Sequence, residues 1–344
     1  MATIQYIADV QPIEGADKIC KYKVNSWWVV DSVGKYAVGD KIIFCEVDSY
    51  LPIRPEFEFL RKSSYKKMSD GTEGFRLKTI KLRGQLSQGL ILPYGLLLGE
   101  NSYYPLVEDE DVSGRLGIVN YEPPIPSCLA GQVKGNFPSF LHKTDEPRVQ
   151  NIKPSEYNSF KGKGDFFYAT EKLDGSSCTF YLKDGEFGVC SRNMDLKETE
   201  GNTFWKVARE QNVEKIMRDI SEEHGEGYTD FAIQGELIGE GVQGNPYKIK
   251  GHDFYIFNIY TITYNGYLEI DTLLDFRDKT GLKLVPLVQY YKPLPDTIEE
   301  CLLMAEGKSE LNPNTEREGI VFRYYDRSIS FKAISNKFLL KSEN

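Results

Sequence analysis

Two patterns of apolar and polar positions divide the chain. Up to about residue 95 the apolar runs are short and broken by turn residues. Residues 22–30 and 41–47 read as strands, with Gly34, Gly39 and Asp40 between them, and 74–80 and 89–92 continue the series. Short strands with Gly-rich turns predict a small N-terminal β-barrel, OB-like, with an SH3-like barrel as the alternative. From residue 166 onward strands are expected over 166–173, 178–182, 187–191, 231–238, 254–264, 319–324 and 329–334. Phe204, Val207, Ala208, Ile216, Met217 and Ile220 recur at helical spacing and predict a helix, and a second amphipathic helix is expected over 297–305. This second region reads as α+β, built on antiparallel sheets. Between the two lie an acidic run at 108–111, Pro123, Pro124, Pro126, Pro138 and Pro147, and a Gly/Lys stretch at 161–164. The piece from 96 to 164 reads as a loop-rich connection with room for short helices. The expected division is a first domain over 1–130, a linker to about 145, and a second domain over 146–344.

Length supports that division, since 344 residues exceed one typical domain. A 40% apolar and 13% aromatic composition can build packed cores. The formal net charge of −9 excludes nucleic-acid binding by bulk charge, so any such site is local. One candidate is residues 54–83, where Arg54, Arg61, Lys62, Lys66, Lys67, Arg76, Lys78, Lys81 and Arg83 outnumber the acids Glu56, Glu58, Asp70 and Glu73. Phe57, Phe59, Tyr65 and Phe75 interleave. This is either a track for a phosphate backbone or a solvated basic hairpin. Six Cys, none with CxxC spacing, and three His argue against a zinc site. They predict buried, reduced thiols and an intracellular, reducing compartment. The N-terminus lacks a signal-peptide pattern, and the apolar stretch at 89–99 is broken by Pro93 and Gly95. A soluble protein with no membrane partner is expected.

The chemistry starts at Glu171-Lys172-Leu173-Asp174-Gly175. In an extended run Lys172 and Asp174 share a face. An amine beside a carboxylate can be held in place and assisted by a metal. It is a nucleophile only when neutral, and nearby cations or desolvation provide that state by lowering its pKa. Alone this tetrapeptide is no more than a turn after a strand. Behind it, in order, come Ser191-Arg192, Gly235-Glu236, the aromatic run 253–257, Glu318-Gly319-Ile320-Val321 and Phe331-Lys332.

These six segments in this order resemble the covalent nucleotidyltransferases, the superfamily of DNA ligases, RNA ligases and mRNA capping enzymes. The resemblance spans about residues 148–338. It implies an adenylylation domain of the ligase type, described also as ATP-grasp-like, and ATP and Mg²⁺ or Mn²⁺ as cofactors. Lys172 matches the nucleophile that takes AMP from ATP. Lys332 matches the lysine on the α-phosphate and is expected to help lower the Lys172 pKa. Glu236 matches the ribose-binding carboxylate and Phe257 the aromatic stacked on adenine. Glu318 matches a metal-site carboxylate, with Asp174 joining through metal-bound water and Glu236 completing the acidic set. Arg192 is implied at the ribose or a nucleic-acid 3′ end, and Arg148 at the ATP γ-phosphate. Glu171 and Val321 belong to the same motifs and are counted with the nucleotide-binding residues. Many relatives carry K-x-K in the last motif, whereas Ile334 stands two after Lys332. Either Lys337 takes over or one phosphate contact is missing.

Only 12 residues follow Lys332, and the extra domain precedes the motifs. That order resembles the type 5 RNA ligases, with an OB-like module ahead of the nucleotidyltransferase. It implies sealing of 3′-OH/5′-phosphate nicks in duplex RNA or RNA/DNA hybrids with an RNA 3′-OH end, by a monomer. A GTP-dependent capping guanylyltransferase and a DNA ligase-like repair enzyme are the alternatives. Residues 239–251, Gly-rich but lacking the G-x-x-x-x-G-K-[ST] pattern, read as a mobile lid or nucleic-acid contact.

Overall fold

The computed structural model describes residues 1–68, 71–97, 107–122, 131–225 and 228–342. Asp70, Cys128 and the prolines at 123, 124 and 126 lie outside these. The chain forms two compact units. One comprises 1–125, 150–157 and 339–344, the other 126–149 and 158–338.

In the first unit, Lys41–Cys45 lies between Ala2–Tyr6 and Leu90–Pro93, all antiparallel, and Asp9–Ile13, Ala16–Val24 and Trp27–Ser32 form a meander. The expected strand at 22–30 is two strands joined at Asn25-Ser26. Asn25 has φ 51°, a left-handed conformation that Asn tolerates, and it reverses the chain inside an otherwise apolar run. The acidic run 108–111 is not linker. Ile4 N donates to Glu110 O and Val112 N to Ala2 O, so this segment borders the first strand. Val112, Leu116 and Ile118 then enter the core beside Ile4, Ile43 and Phe75. Residues 150–157 also fold here: Trp27 Nε1 donates to Asn151 Oδ1 (2.6 Å) and Asn151 Nδ2 to Glu46 Oε2 (2.8 Å).

The second unit holds two sheets. The larger runs Val133–Asn136, Met194–Leu196, Glu186–Cys190, Ser176–Lys183, Phe231–Gly239, His252–Thr261, Gly266–Tyr267. Lys283–Leu284 joins it parallel, the exception to an antiparallel plan. Residues 203–224 are two helices, Thr203–Glu210 and Val213–His224, because Asn212 adopts φ 53°. A third helix, Ile270–Thr280, lay outside the sequence expectations. All three pack on the face carrying Phe180, Phe231, Ile233, Leu237 and Phe254. Strand alternation then sends Gln234, Glu236 and Ile238 to the opposite face. The smaller sheet runs Leu287–Lys292, Phe167–Lys172, Gly319–Tyr324, Ser330–Ile334. The helix Ile298–Ala305, capped by the Thr297 side chain, sits where its periodicity placed it. Five described cysteines are buried and unpaired. No helix among the described residues is long and apolar enough to cross a membrane.

Candidate active site

Register in the smaller sheet assembles the site. Lys172 pairs with Gly319, which pairs with Ile334; Thr170 pairs with Val321, which pairs with Lys332; Tyr168 pairs with Arg323, which pairs with Ser330. These three rows therefore present their side chains on one face. Lys172 ends its strand opposite a glycine, where a Cβ would lie 2.3 Å from Ala333 O. Gly175 is required for a related reason. It has no positive φ; a Cβ there would meet Leu237 O at 2.5 Å and Glu236 Cγ at 2.8 Å. Its role is to let the turn after Lys172 approach the Glu236 strand closely, rather than to supply an unusual backbone angle.

Lys172 Nζ lies 2.7 Å from Glu318 Oε1. Burial works against the ammonium, but Glu318, Glu236 and Asp174 outweigh it and raise the Lys172 pKa. The expected lowering is thus reversed in the protein alone, because carboxylates surround the amine more closely than cations do. Asp174 is pushed up to about 7 and Glu236 to about 8, each by burial first and by the other carboxylates next. Lys332 moves the opposite way, down to about 8, through burial and the neighbouring Lys172 and Arg148.

An extended segment brings Arg148 there. Lys332 N donates to Pro147 O (2.8 Å), and Arg148 bridges Lys332 in parallel. The same segment reaches the larger sheet, where Gln234 Nε2 donates to His142 O (2.8 Å), and Thr144 Oγ1 lies 3.5 Å from Ser177 Oγ. Arg192 is exposed, and its Nη2 is 2.8 Å from Asp145 Oδ1. Phe257 is the extra residue of a bulge, since Gln234 and Gly235 oppose Asn258 and Ile256. It packs against Leu173, Tyr247, Tyr255 and Val285, and it lines a cavity of about 130 Å³ with Tyr168, Thr170, Val285 and Pro286. A larger open groove of about 440 Å³, beside Asp184, Arg218 and Asp230, contains none of the site residues.

Two expected positions stand apart. Glu171 alternates away from Lys172; its Oε2 accepts from Glu310 N (2.8 Å), so its side chain serves the 309–311 loop, and its own N donates to Pro286 O (2.8 Å). Lys337 is exposed and its Nζ is 2.8 Å from Glu306, which engages its ammonium in an ion pair. The Gly-rich loop is pinned. Asp174 N donates to Tyr247 Oη (2.6 Å), Asn312 Nδ2 to Pro246 O (2.9 Å), and Asn245 closes a side-chain turn on Ile249. Arg323, 3% exposed, was missed although it closes the Glu318–Arg323 run; its Nη1 donates to Thr170 Oγ1 (2.8 Å). Burial and Arg327 hold its pKa down to about 10.

Among the described residues no three His, Cys, Asp or Glu side chains converge closely enough to bind a metal directly. The donors around Lys172 are nevertheless all carboxylate, and two keep protons near neutral pH that a cation would displace. The set fits a hard, water-bridged cation.

This geometry has close relatives. The OB-fold domain description matches residues 1–94 and the RNA ligase description residues 165–341. The chain belongs to the RNA ligase family. It is similar over nearly its whole length to Naegleria gruberi RNA ligase. A lysine-to-methionine mutant of that ligase with AMP and Mn is 39% identical, with a TM-score of 0.89 over 98% of this chain and 97% of that one. A lysine-to-alanine mutant with ATP and Mn is 37% identical, TM-score 0.88, covering 98% of both chains. The ligase with PPi is 38% identical, TM-score 0.87, covering 98% and 97%. No curated protein sequence matches. The fold is therefore that of an RNA ligase with an OB-fold domain ahead of an antiparallel-sheet domain.

Proposed function

We propose that this RNA ligase is ATP-dependent and seals 3′-OH/5′-phosphate nicks in duplexes through AMP carried on Lys172. The observation that carries the reading is Lys172 Nζ, 2.7 Å from Glu318 and one row from Lys332 on the same sheet face. The ATP, AMP, Mn and PPi complexes of the Naegleria enzyme support the choice of nucleotide and cation.

Lys172 rests protonated, and Glu318 Oε1 is within reach to accept the proton. The freed lone pair attacks the α-phosphorus of ATP, the bond to the bridging oxygen breaks, and pyrophosphate leaves. Lys332 meets the charge that grows on the α-phosphate, and Arg148 the γ-phosphate. Glu236 accepts from the ribose hydroxyls, and Phe257 with Val321 lines the base site. Asp174, Glu236 and Glu318 would hold a Mg²⁺ or Mn²⁺, which would supply phosphate neutralisation and offset the carboxylates that keep Lys172 charged. An oxygen of the RNA 5′-phosphate then attacks the AMP phosphorus, and the amine of Lys172 leaves. Finally the 3′-OH, steered by Arg192, gives its proton to solvent as its oxygen attacks that 5′-phosphate, and AMP departs.

The test is incubation with α-labelled ATP or GTP and Mg²⁺ or Mn²⁺, followed by addition of a nicked duplex. The expected result is an acid-labile adduct from ATP alone, lost as the nick closes. Absence of any adduct overturns the reading and leaves an RNA-binding protein without this chemistry.

A further inference from the structure

The first unit carries cations around an aromatic ring, Lys21 and Lys23 at Trp28, next to the end of the 54–83 stretch. In the hairpin of Ala16–Val24 and Trp27–Ser32, alternation is strict. Cys20, Tyr22, Val24, Trp27 and Val29 are buried, so Lys21, Lys23, Trp28 and Val30 face outward. Lys23 stands opposite Trp28 and Lys21 opposite Val30. Both ammonium groups lie over the Trp28 ring, 4.5 Å and 5.6 Å from its centroid. The other two tryptophans, Trp27 and Trp205, are 0% and 8% exposed. Trp28 alone turns its indole outward.

The surface continues beyond the ring. Val30 N donates to Ser87 Oγ (2.9 Å) and Gln88 N to Trp28 O (2.8 Å), so the hairpin of Ile80–Leu82 and Gln85–Ser87 borders this strand. That hairpin exposes Lys81 and Arg83, with Ile80 43% and Leu82 37% exposed between them. Cations, apolar surface and an aromatic ring thus adjoin in this part of a protein whose net charge is −9. A polyanion is repelled by such a protein as a whole and held only where the charge is locally reversed. An aromatic ring adds a stacking partner that any base can use.

We propose that this face is an RNA-strand platform, with Trp28 stacking on an unpaired or frayed base and Lys21, Lys23, Lys81 and Arg83 taking successive phosphates. It rests on the ligase reading only for the identity of the polymer. The existing contact of both lysines with the ring pre-orders their ammonium groups beside the base that Trp28 takes.

The test is fluorescence anisotropy of a labelled nicked RNA duplex with the full chain across a salt series. Trp28→Ala is expected to weaken binding about tenfold, and Trp28→Phe to restore most of it. The double variant Lys21→Ala/Lys23→Ala should lower the slope of log affinity against log salt by about two. Melting temperature and AMP-adduct formation without RNA report whether each variant is folded. Unchanged affinity and slope in folded variants overturn the platform while leaving the ligase reading standing; a wild-type chain that forms the adduct but binds no RNA overturns the platform and the nick-sealing reading, leaving only the AMP step. Loss of binding in these variants from a wild-type chain that forms no adduct supports the platform and overturns the ligase reading.

Discussion

The surroundings of Lys172 and Lys332 differ more than their positions do. Both leave the same face of one sheet, one row apart, and both are partly buried. Around Lys172 the neighbours are Glu318, Glu236 and Asp174, and its proton is held tightly. Around Lys332 the strongest neighbours are Lys172 and Arg148, and its pKa falls to about 8. Burial disfavours both charges alike, so the neighbours decide the sign. One end of the face is suited to a cation and the other to phosphates.

Removing the proposed acceptor for AMP should break this arrangement most completely. Lys172→Met is expected to abolish the labelled adduct with the melting curve retained; persistent labelling would place the nucleophile elsewhere. Next, Lys332→Ala should slow adduct formation by about 10²–10³-fold, as measured by single-turnover labelling. A loss below tenfold would mean the phosphate end is carried by Arg148.

The carboxylates make a pH signature. Asp174 and Glu236 bind protons in the folded state up to about pH 7 and 8, but when unfolded only to their ordinary values. Between about pH 4 and 8 the folded state therefore holds more protons, and their contribution to stability falls as pH rises. The melting temperature of chelator-treated protein should drop across this window relative to Glu236→Gln. Excess Mg²⁺ or Mn²⁺ should flatten the drop, and an equal slope in wild type and variant would contradict the assigned burial.

Smaller effects sharpen the boundaries of the site. Tyr247→Phe leaves the Asp174 amide without its 2.6 Å partner and should cost about 1–2 kcal/mol, read as a few degrees of melting temperature. Lys337→Ala removes only an exposed pair with Glu306 and should change adduct formation by less than about twofold.

Local pattern carried much of the second unit. The strand Gly319–Tyr324 falls on its expected residues, and Ile298–Ala305 follows its cap, because alternation and capping are set by neighbours in sequence. What escaped was decided by single backbone angles or distant contacts. Asn25 and Asn212 reverse or break apolar runs that continue on both sides, and only a left-handed φ marks the spot. The run at 108–111 looks like linker because its acidic side chains face water. Its backbone, not its side chains, joins the first strand. The rise in the Lys172 pKa was equally hidden. It depends on the balance of burial against three carboxylates, and motif order says nothing about either.

The Lys172–Glu318 contact joins residues 146 positions apart. A growing polypeptide made at about 5–20 residues per second carries Lys172 for roughly 7–30 s before Glu318 is even synthesised. Until then the Lys172 strand lacks both the Gly319–Tyr324 strand beside it and the carboxylate above it. On the roles proposed for Lys172 and Glu318, catalytic competence is a late event in the biogenesis of this chain, and a ribosome stalled between the two residues would display an inert fragment.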